Sequence, residues 1–147
     1  MSDAYVKTYK PLAVWFCLFL AAVIALPVAL GRLIPESILT PVMLMTVYLG
    51  ILALFILIRQ GEYVYWINGG PSFEEARNAD AASRRAYAGA HLKCFGLAGA
   101  VLVPCLIVSS ILHWPTWLAT IIFGATVITA AACTLKIRFA PTQEETK

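Results

Sequence analysis

His91 and Cys94 are three residues apart, one turn of a helix, so both side chains share a helix face. Imidazole and thiolate together are zinc ligands. Cys133 lies about two residues, or ~3 Å, inside the boundary expected for its apolar run, and Cys17 about five residues, or ~7.5 Å, inside its own. Four zinc-competent side chains would then meet at one depth. They come from three separate stretches, however, and no two cysteines form C-x-x-C. Cysteine is also a good small hydrophobe, so the packing reading is preferred and no metal is assigned.

Other chemistries find less support. Ser109 and Ser110 lack a base, because His113 stands a turn away toward the opposite end of its run. Patterns for a dinucleotide loop, a P-loop or a zinc protease do not occur. No catalytic or cofactor-binding residue is assigned, and an enzyme is not expected. A lipid-acting enzyme around His91 and Cys94 is the least favoured alternative.

The elements that would position these residues are plain. Four runs, Leu12–Leu30, Ile38–Ile58, Phe95–Leu112 and Trp117–Leu135, contain no Asp, Glu, Lys, Arg or His. Each has about 18–21 residues, enough for a helix to cross a hydrocarbon core of ~30 Å. Lipid offers the backbone no partners, and the runs show no period-2 alternation, so helices are expected. The hydrophobic fraction of 61% and mean hydropathy of +0.80 agree. The expected fold is all-α and polytopic: a single membrane domain with helices near 12–30, 38–58, 92–112 and 117–135. Pairing across short links makes this a four-helix bundle of two antiparallel hairpins. The first run is longer than a typical secretory h-region, so it is read as a retained helix.

The lack of charge inside the runs excludes several functions. Proton and ion relays need ionisable groups within the membrane. A small multidrug-type exporter would need a carboxylate in the first run. A quinone-linked thiol oxidase would need paired cysteines, and a four-helix glutathione-transferring enzyme basic groups within its helices. The net charge of +3 is spread along the chain, which argues against nucleic acid as a partner. Ten of the eleven basic residues fall on one side, with Arg32 alone opposite. That bias places both termini in the cytoplasm.

The turns carry prolines. Thr40-Pro41 and Trp114-Pro115 read as N-cap followed by the first helical residue. The inner connection, about 59–91, is the only sizeable part outside the lipid. Tyr63, Tyr65 and Trp66 suit an aromatic belt, and Asn68-Gly69-Gly70-Pro71 is a turn. Ser72-Phe73-Glu74-Glu75 matches a capping box, and the alanine-rich stretch to Ala90 predicts one short cytoplasmic helix, with Asp80 and Arg84 paired at i,i+4. By itself this helix reads as a solvated face. Candidate partner contacts are Tyr63, Tyr65, Trp66, Phe73, Arg77, Arg84 and Arg85. Gly96 with Ala100 and Thr120 with Gly124 are small-xxx-small pairs suited to helix packing, and Pro104 predicts a bend.

Part of the inner connection resembles a group of uncharacterised small bacterial integral membrane proteins, a domain of unknown function. The residues are Ile67-Asn68-Gly69, Phe73-Glu74-Glu75-Ala76 and Leu92-Lys93-Cys94-Phe95-Gly96. Gly70-Pro71 departs from the pattern, and the segment from Asn78 to Arg85 looks inserted. The resemblance implies a bacterial cytoplasmic membrane and no activity.

The expectation is therefore a small non-enzymatic membrane protein that acts by binding. It would be an accessory subunit of a larger membrane complex or a homo-oligomer, with the lipid bilayer as its other partner. The alternative is an oligomeric transporter or channel lined by Thr46, Tyr48, Ser109, Ser110, Thr126 and Thr129.

Overall fold

A computed structural model describes residues 5–140. It is all-helical, in the order α1 (Lys10–Leu30), α2 (Glu36–Gly61), a 3-10 turn (Val64–Trp66), α3 (Phe73–Asn78), α4 (Ala81–Ile111) and α5 (Thr116–Thr134). The four long helices are long and apolar enough to cross a membrane. At 31 residues α4 is ~46 Å long, more than a hydrocarbon core needs.

Helix starts differ from expectation at the prolines. α2 begins at Glu36 with Pro35 as N-cap, a full turn before Thr40-Pro41. Pro41 lies buried inside the helix, where its ring removes only the bond to the Ser37 carbonyl. The Ile38 and Leu39 N–H groups both donate to the Pro35 carbonyl at 3.0 Å, so the earlier turn is already closed. α5 begins after Pro115 rather than after Trp114.

The larger correction is between Ser72 and Ala90, where one helix was expected. The capping box forms as predicted: Glu75 N–H donates to Ser72 Oγ at 3.2 Å, and Ser72 N–H to Glu75 Oε2 at 2.7 Å. The helix then stops after Asn78, and Ala79 and Asp80 are extended. Asp80 starts the next helix as its N-cap, accepting Ser83 N–H at 3.1 Å. A short acidic side chain competes for backbone N–H groups, which favours a cap over a helix interior. Asp80 therefore does not pair with Arg84. Downstream, the alanine-rich stretch runs without a break into the third apolar run.

α4 is the centre of the bundle and packs against both α2 and α5, while α2 also touches α1 and α5. Its buried residues include Arg84, Ala88, His91, Phe95, Gly99, Leu102, Leu106 and Ser109, in steps of three and four. That spacing is the seam of a helix packed along its length. Tyr48 of α2 crosses the seam. It is fully buried, its hydroxyl donates to the Phe95 carbonyl at 2.6 Å, and its ring lies beside Gly99. Phe55 stacks on Phe95 at 4.8 Å, and Phe123 of α5 meets Tyr48 edge-on at 6.3 Å.

The small-xxx-small pairs do not sit on this seam. Gly96 and Ala100 are one residue past Phe95 and Gly99, or ~100° around the helix. A Cβ at Gly96 or Gly124 would meet nothing within 4 Å, and Ala100 and Thr120 are exposed. Pro104 also faces outward. The residue that allows close approach is Gly99, where a Cβ would fall 2.7 Å from Tyr48 Cε1. The Tyr48 ring is anchored by its hydroxyl and cannot yield cheaply. Gly99→Ala should therefore destabilise the protein by ~1–3 kcal/mol as overpacking. Gly96→Ala and Gly124→Ala should be neutral or stabilising by up to ~1 kcal/mol, since alanine is the better helix former. Denaturant titration in detergent micelles compares the three, and equal effects would refute this seam.

Candidate functional site

The polar side chains gather at one end of the bundle, where α2 turns into the inner connection. Gly61 closes α2, with the Tyr63 ring folded over it so closely that a Cβ would overlap the ring. Glu62 follows in the left-handed region, at φ 58°. Its N–H and that of Tyr63 both return to the Ile58 carbonyl, the latter at 3.0 Å. This turn delivers the Glu62 carboxylate under the start of α4.

There Arg84 receives it. Arg84 is only 9% exposed, and its Nε and Nη2 lie 2.8 and 2.7 Å from Glu62 Oε2. Its Nη1 donates to the carbonyls of Ala76, at 3.0 Å, and Ala79. Those are orphan acceptors at the end of α3, so one guanidinium neutralises Glu62 and caps α3. The other Glu62 oxygen accepts from Arg85 Nε at 2.7 Å, but Arg85 is 62% exposed.

Tyr5 closes the assembly from the N-terminal side. Its ring stacks on Phe73 at 5.5 Å and lies 4.3 Å from the Arg84 guanidinium. Its hydroxyl donates to the Glu62 carbonyl at 2.6 Å. Burial pushes this phenol up to about 12, although Arg84 pulls the other way, so Tyr5 remains a neutral donor at physiological pH. Thr8 is held the same way. Its N–H donates to Tyr65 Oη at 2.9 Å, and its carbonyl accepts from Tyr65 Oη at 2.8 Å and from Trp66 Nε1 at 3.2 Å. Since α1 has no buried residue, this strap is a main part of its attachment. The ends of the connection are tuned by hydrogen bonds. Those from Ser72 lower the Glu75 pKa, and those from Ser83 lower that of Asp80. Both caps are thus fully present above the ordinary carboxylate range and are lost as pH falls through the lowered values.

The predicted contact residues divide accordingly. Tyr63, Tyr65, Trp66 and Phe73 form one aromatic cluster with Tyr5 and Tyr9, facing the chain's own N-terminal stretch. Arg84 is buried and not solvated. Arg77, paired with Glu74 at 3.5 Å, and Arg85 face solvent. Glu62, Tyr5 and Thr8 escaped the sequence reading. Glu62 lies 22 residues from Arg84, and no periodicity links them.

His91 is 4% exposed, between Phe55 and Tyr87, and its Nδ1 lies 3.0 Å from the Tyr87 carbonyl. A carbonyl only accepts, so Nδ1 carries the proton and donates. All four cysteines are free, and Cys17 and Cys133 are exposed. No group of three or more possible metal ligands occurs among the described residues. Of the suggested pore-lining residues, Tyr48 and Ser109 are packed inside the bundle. Thr46, Ser110 and Thr126 bond to carbonyls of their own helices. No family model, curated protein or solved structure matches the chain.

Removing one member of a buried ion pair costs ~3–5 kcal/mol, because the other is left uncompensated. Glu62→Gln should therefore destabilise the protein by about that amount, whereas Arg85→Gln, losing an exposed contact, should cost under ~1 kcal/mol. Unfolding of both variants in detergent is the check. Similar small losses would mean that Glu62 holds nothing together.

Proposed function

We propose that the chain is a polytopic membrane protein of two antiparallel helix hairpins, with both termini on the cytoplasmic side, and that it acts by binding rather than by catalysis. Its role is that of a small accessory subunit of a membrane complex or of a homo-oligomer. The likeness of Ile67-Asn68-Gly69 and its neighbours to small bacterial membrane proteins suggests a bacterial cytoplasmic membrane as the setting.

The observation that carries this reading is the construction of the inner connection. A tether between α2 and α4 would need no internal order. This segment instead has a buried ion pair, a capped short helix and an aromatic cluster, all holding α3 in one orientation. The outer face of α3 and the first turn of α4 then present Glu74, Arg77 and Arg85 as a fixed charge pattern. Fixed charges set partner choice more than affinity. The uncharged helices offer a partner only packing, consistent with a subunit.

The test is charge reversal on α3 in the native host. A Glu74→Arg, Arg77→Glu double variant leaves the buried pair and both caps intact, so the protein should accumulate normally. Recovery of its partner after crosslinking should fall at least ~10-fold, the equivalent of ~1.4 kcal/mol. Unchanged recovery would exclude α3 as the contact.

A further inference from the structure

The aromatic cluster at the polar end already holds a cation. The Lys7 ammonium lies 5.8 Å from the centre of the Phe73 ring and 5.9 Å from that of Tyr9. The Tyr65 ring stands across both, at 87° to Phe73 and 82° to Tyr9, with centroids 5.3 and 5.8 Å away. Each ring is held in place. Tyr5 stacks on Phe73 at 5.5 Å, Trp66 stacks on Tyr9 at 6.2 Å, and the Tyr65 hydroxyl is bound to the Thr8 backbone. Rings fixed in advance bind a ligand without a further ordering cost. Arg84, which lies against Tyr5, is balanced by Glu62 and so does not repel a second cation strongly.

The fit is loose for a lysine. Lys7 is exposed, and its ammonium has no ion pair or hydrogen bond among the described residues. An ammonium is strongly hydrated and carries three N–H donors, which ring faces do not satisfy. Its distances to both rings lie near the outer limit of ~6 Å for a cation over a ring. A methyl carbon on that nitrogen would stand ~1.5 Å closer, at ~4.3 Å from a ring centre, near the ~3.5–4.0 Å at which carbon atoms attract best. A nitrogen with methyl groups in place of hydrogens also has no donors to leave unmet.

We infer that Tyr9, Tyr65 and Phe73 form a binding site for a trimethylammonium group, with Lys7 as the resident cation that the ligand displaces. The exposed lysine returns to water, so its departure costs little. Tyr9 stands three residues before the uncharged run of α1 begins at Leu12, or ~4.5 Å along a helix axis. On the membrane reading above, that is headgroup level. A choline lipid headgroup and a soluble choline-like compound both present this chemistry there. The site is separate from the α3 charges proposed to meet a partner.

Calorimetric titration of the full chain in a maltoside detergent tests it, with tetramethylammonium chloride against ammonium chloride. Tetramethylammonium should bind about tenfold more tightly, as expected for contacts with two ring faces. Lys7→Gln should tighten its binding by about two- to fivefold, because the resident cation is gone. In that background Tyr9→Leu and Phe73→Leu should each weaken it by at least the same factor, whereas Lys10→Gln should leave it unchanged. Leucine keeps the apolar surface and removes the ring face, and Tyr9 is 50% exposed, so its replacement reports the ring and not misfolding. Equal affinity for the two ions, or binding that Lys7→Gln and both leucine variants leave unaltered, would overturn the site while leaving the α3 contact standing. Nanodiscs identify the source of the group. Displacement of tetramethylammonium by phosphatidylcholine and not by phosphatidylethanolamine assigns the site to a lipid headgroup, and displacement by free choline alone assigns it to a soluble compound. Displacement by neither would overturn the assignment.

Discussion

A single carboxylate, mostly shielded from solvent, organises the polar end of this protein. Glu62 sits in a left-handed turn that most residues avoid, and its carboxylate is the only counter-charge to a nearly buried arginine among the described residues. Desolvating both ions is expensive, and such a pair persists only when the remaining donors are also satisfied. Arg84 meets that condition by capping α3 through the Ala76 and Ala79 carbonyls. The same guanidinium is a platform for Tyr5, whose hydroxyl returns to the Glu62 backbone. One pair thus joins the end of α2, the end of α3, the start of α4 and the stretch before α1.

The apolar part follows a different rule. Lipid tails are as apolar as leucine, so burial alone gives transmembrane helices little reason to associate. Close packing and hydrogen bonds must do it instead. Tyr48 supplies both, fitting against Gly99 and donating to the Phe95 carbonyl. The seam that begins at Arg84 continues through His91 and Phe95 to Leu106, so the polar end and the apolar bundle share one helix. A disturbance at Glu62 is therefore passed to α4 directly.

The four long helices were legible because a hydrocarbon core demands ~20 uncharged residues in a row, a pattern that composition alone exposes. The seam was not. From Cys94 to Val108 no face of α4 carries a charged side chain, so Gly96 and Ala100 looked as suitable for packing as Gly99, and only the register against Tyr48 decides. The capping box at Ser72 was readable because its residues are local. Asp80 was misread as a partner of Arg84, since i,i+4 spacing is a weak preference worth ~0.2–0.5 kcal/mol and a cap is worth ~1. The aromatic residues at 63–66 were recognised as interfacial, but what they bind within the chain, Thr8, is 57 residues away. Contacts of that separation leave no trace in local pattern.

The central claim is that the inner connection is a rigid platform tied through Glu62 and Arg84. Hydrogen–deuterium exchange of the full chain in lipid nanodiscs measures this most directly. Backbone amides from Glu62 to Tyr87 outside the exposed turn at Asn68-Gly69 should exchange far more slowly than an unstructured peptide, with Tyr63, Ser83 and Arg84 among the slowest. Exchange of that whole stretch at the rate of a free peptide would contradict the account.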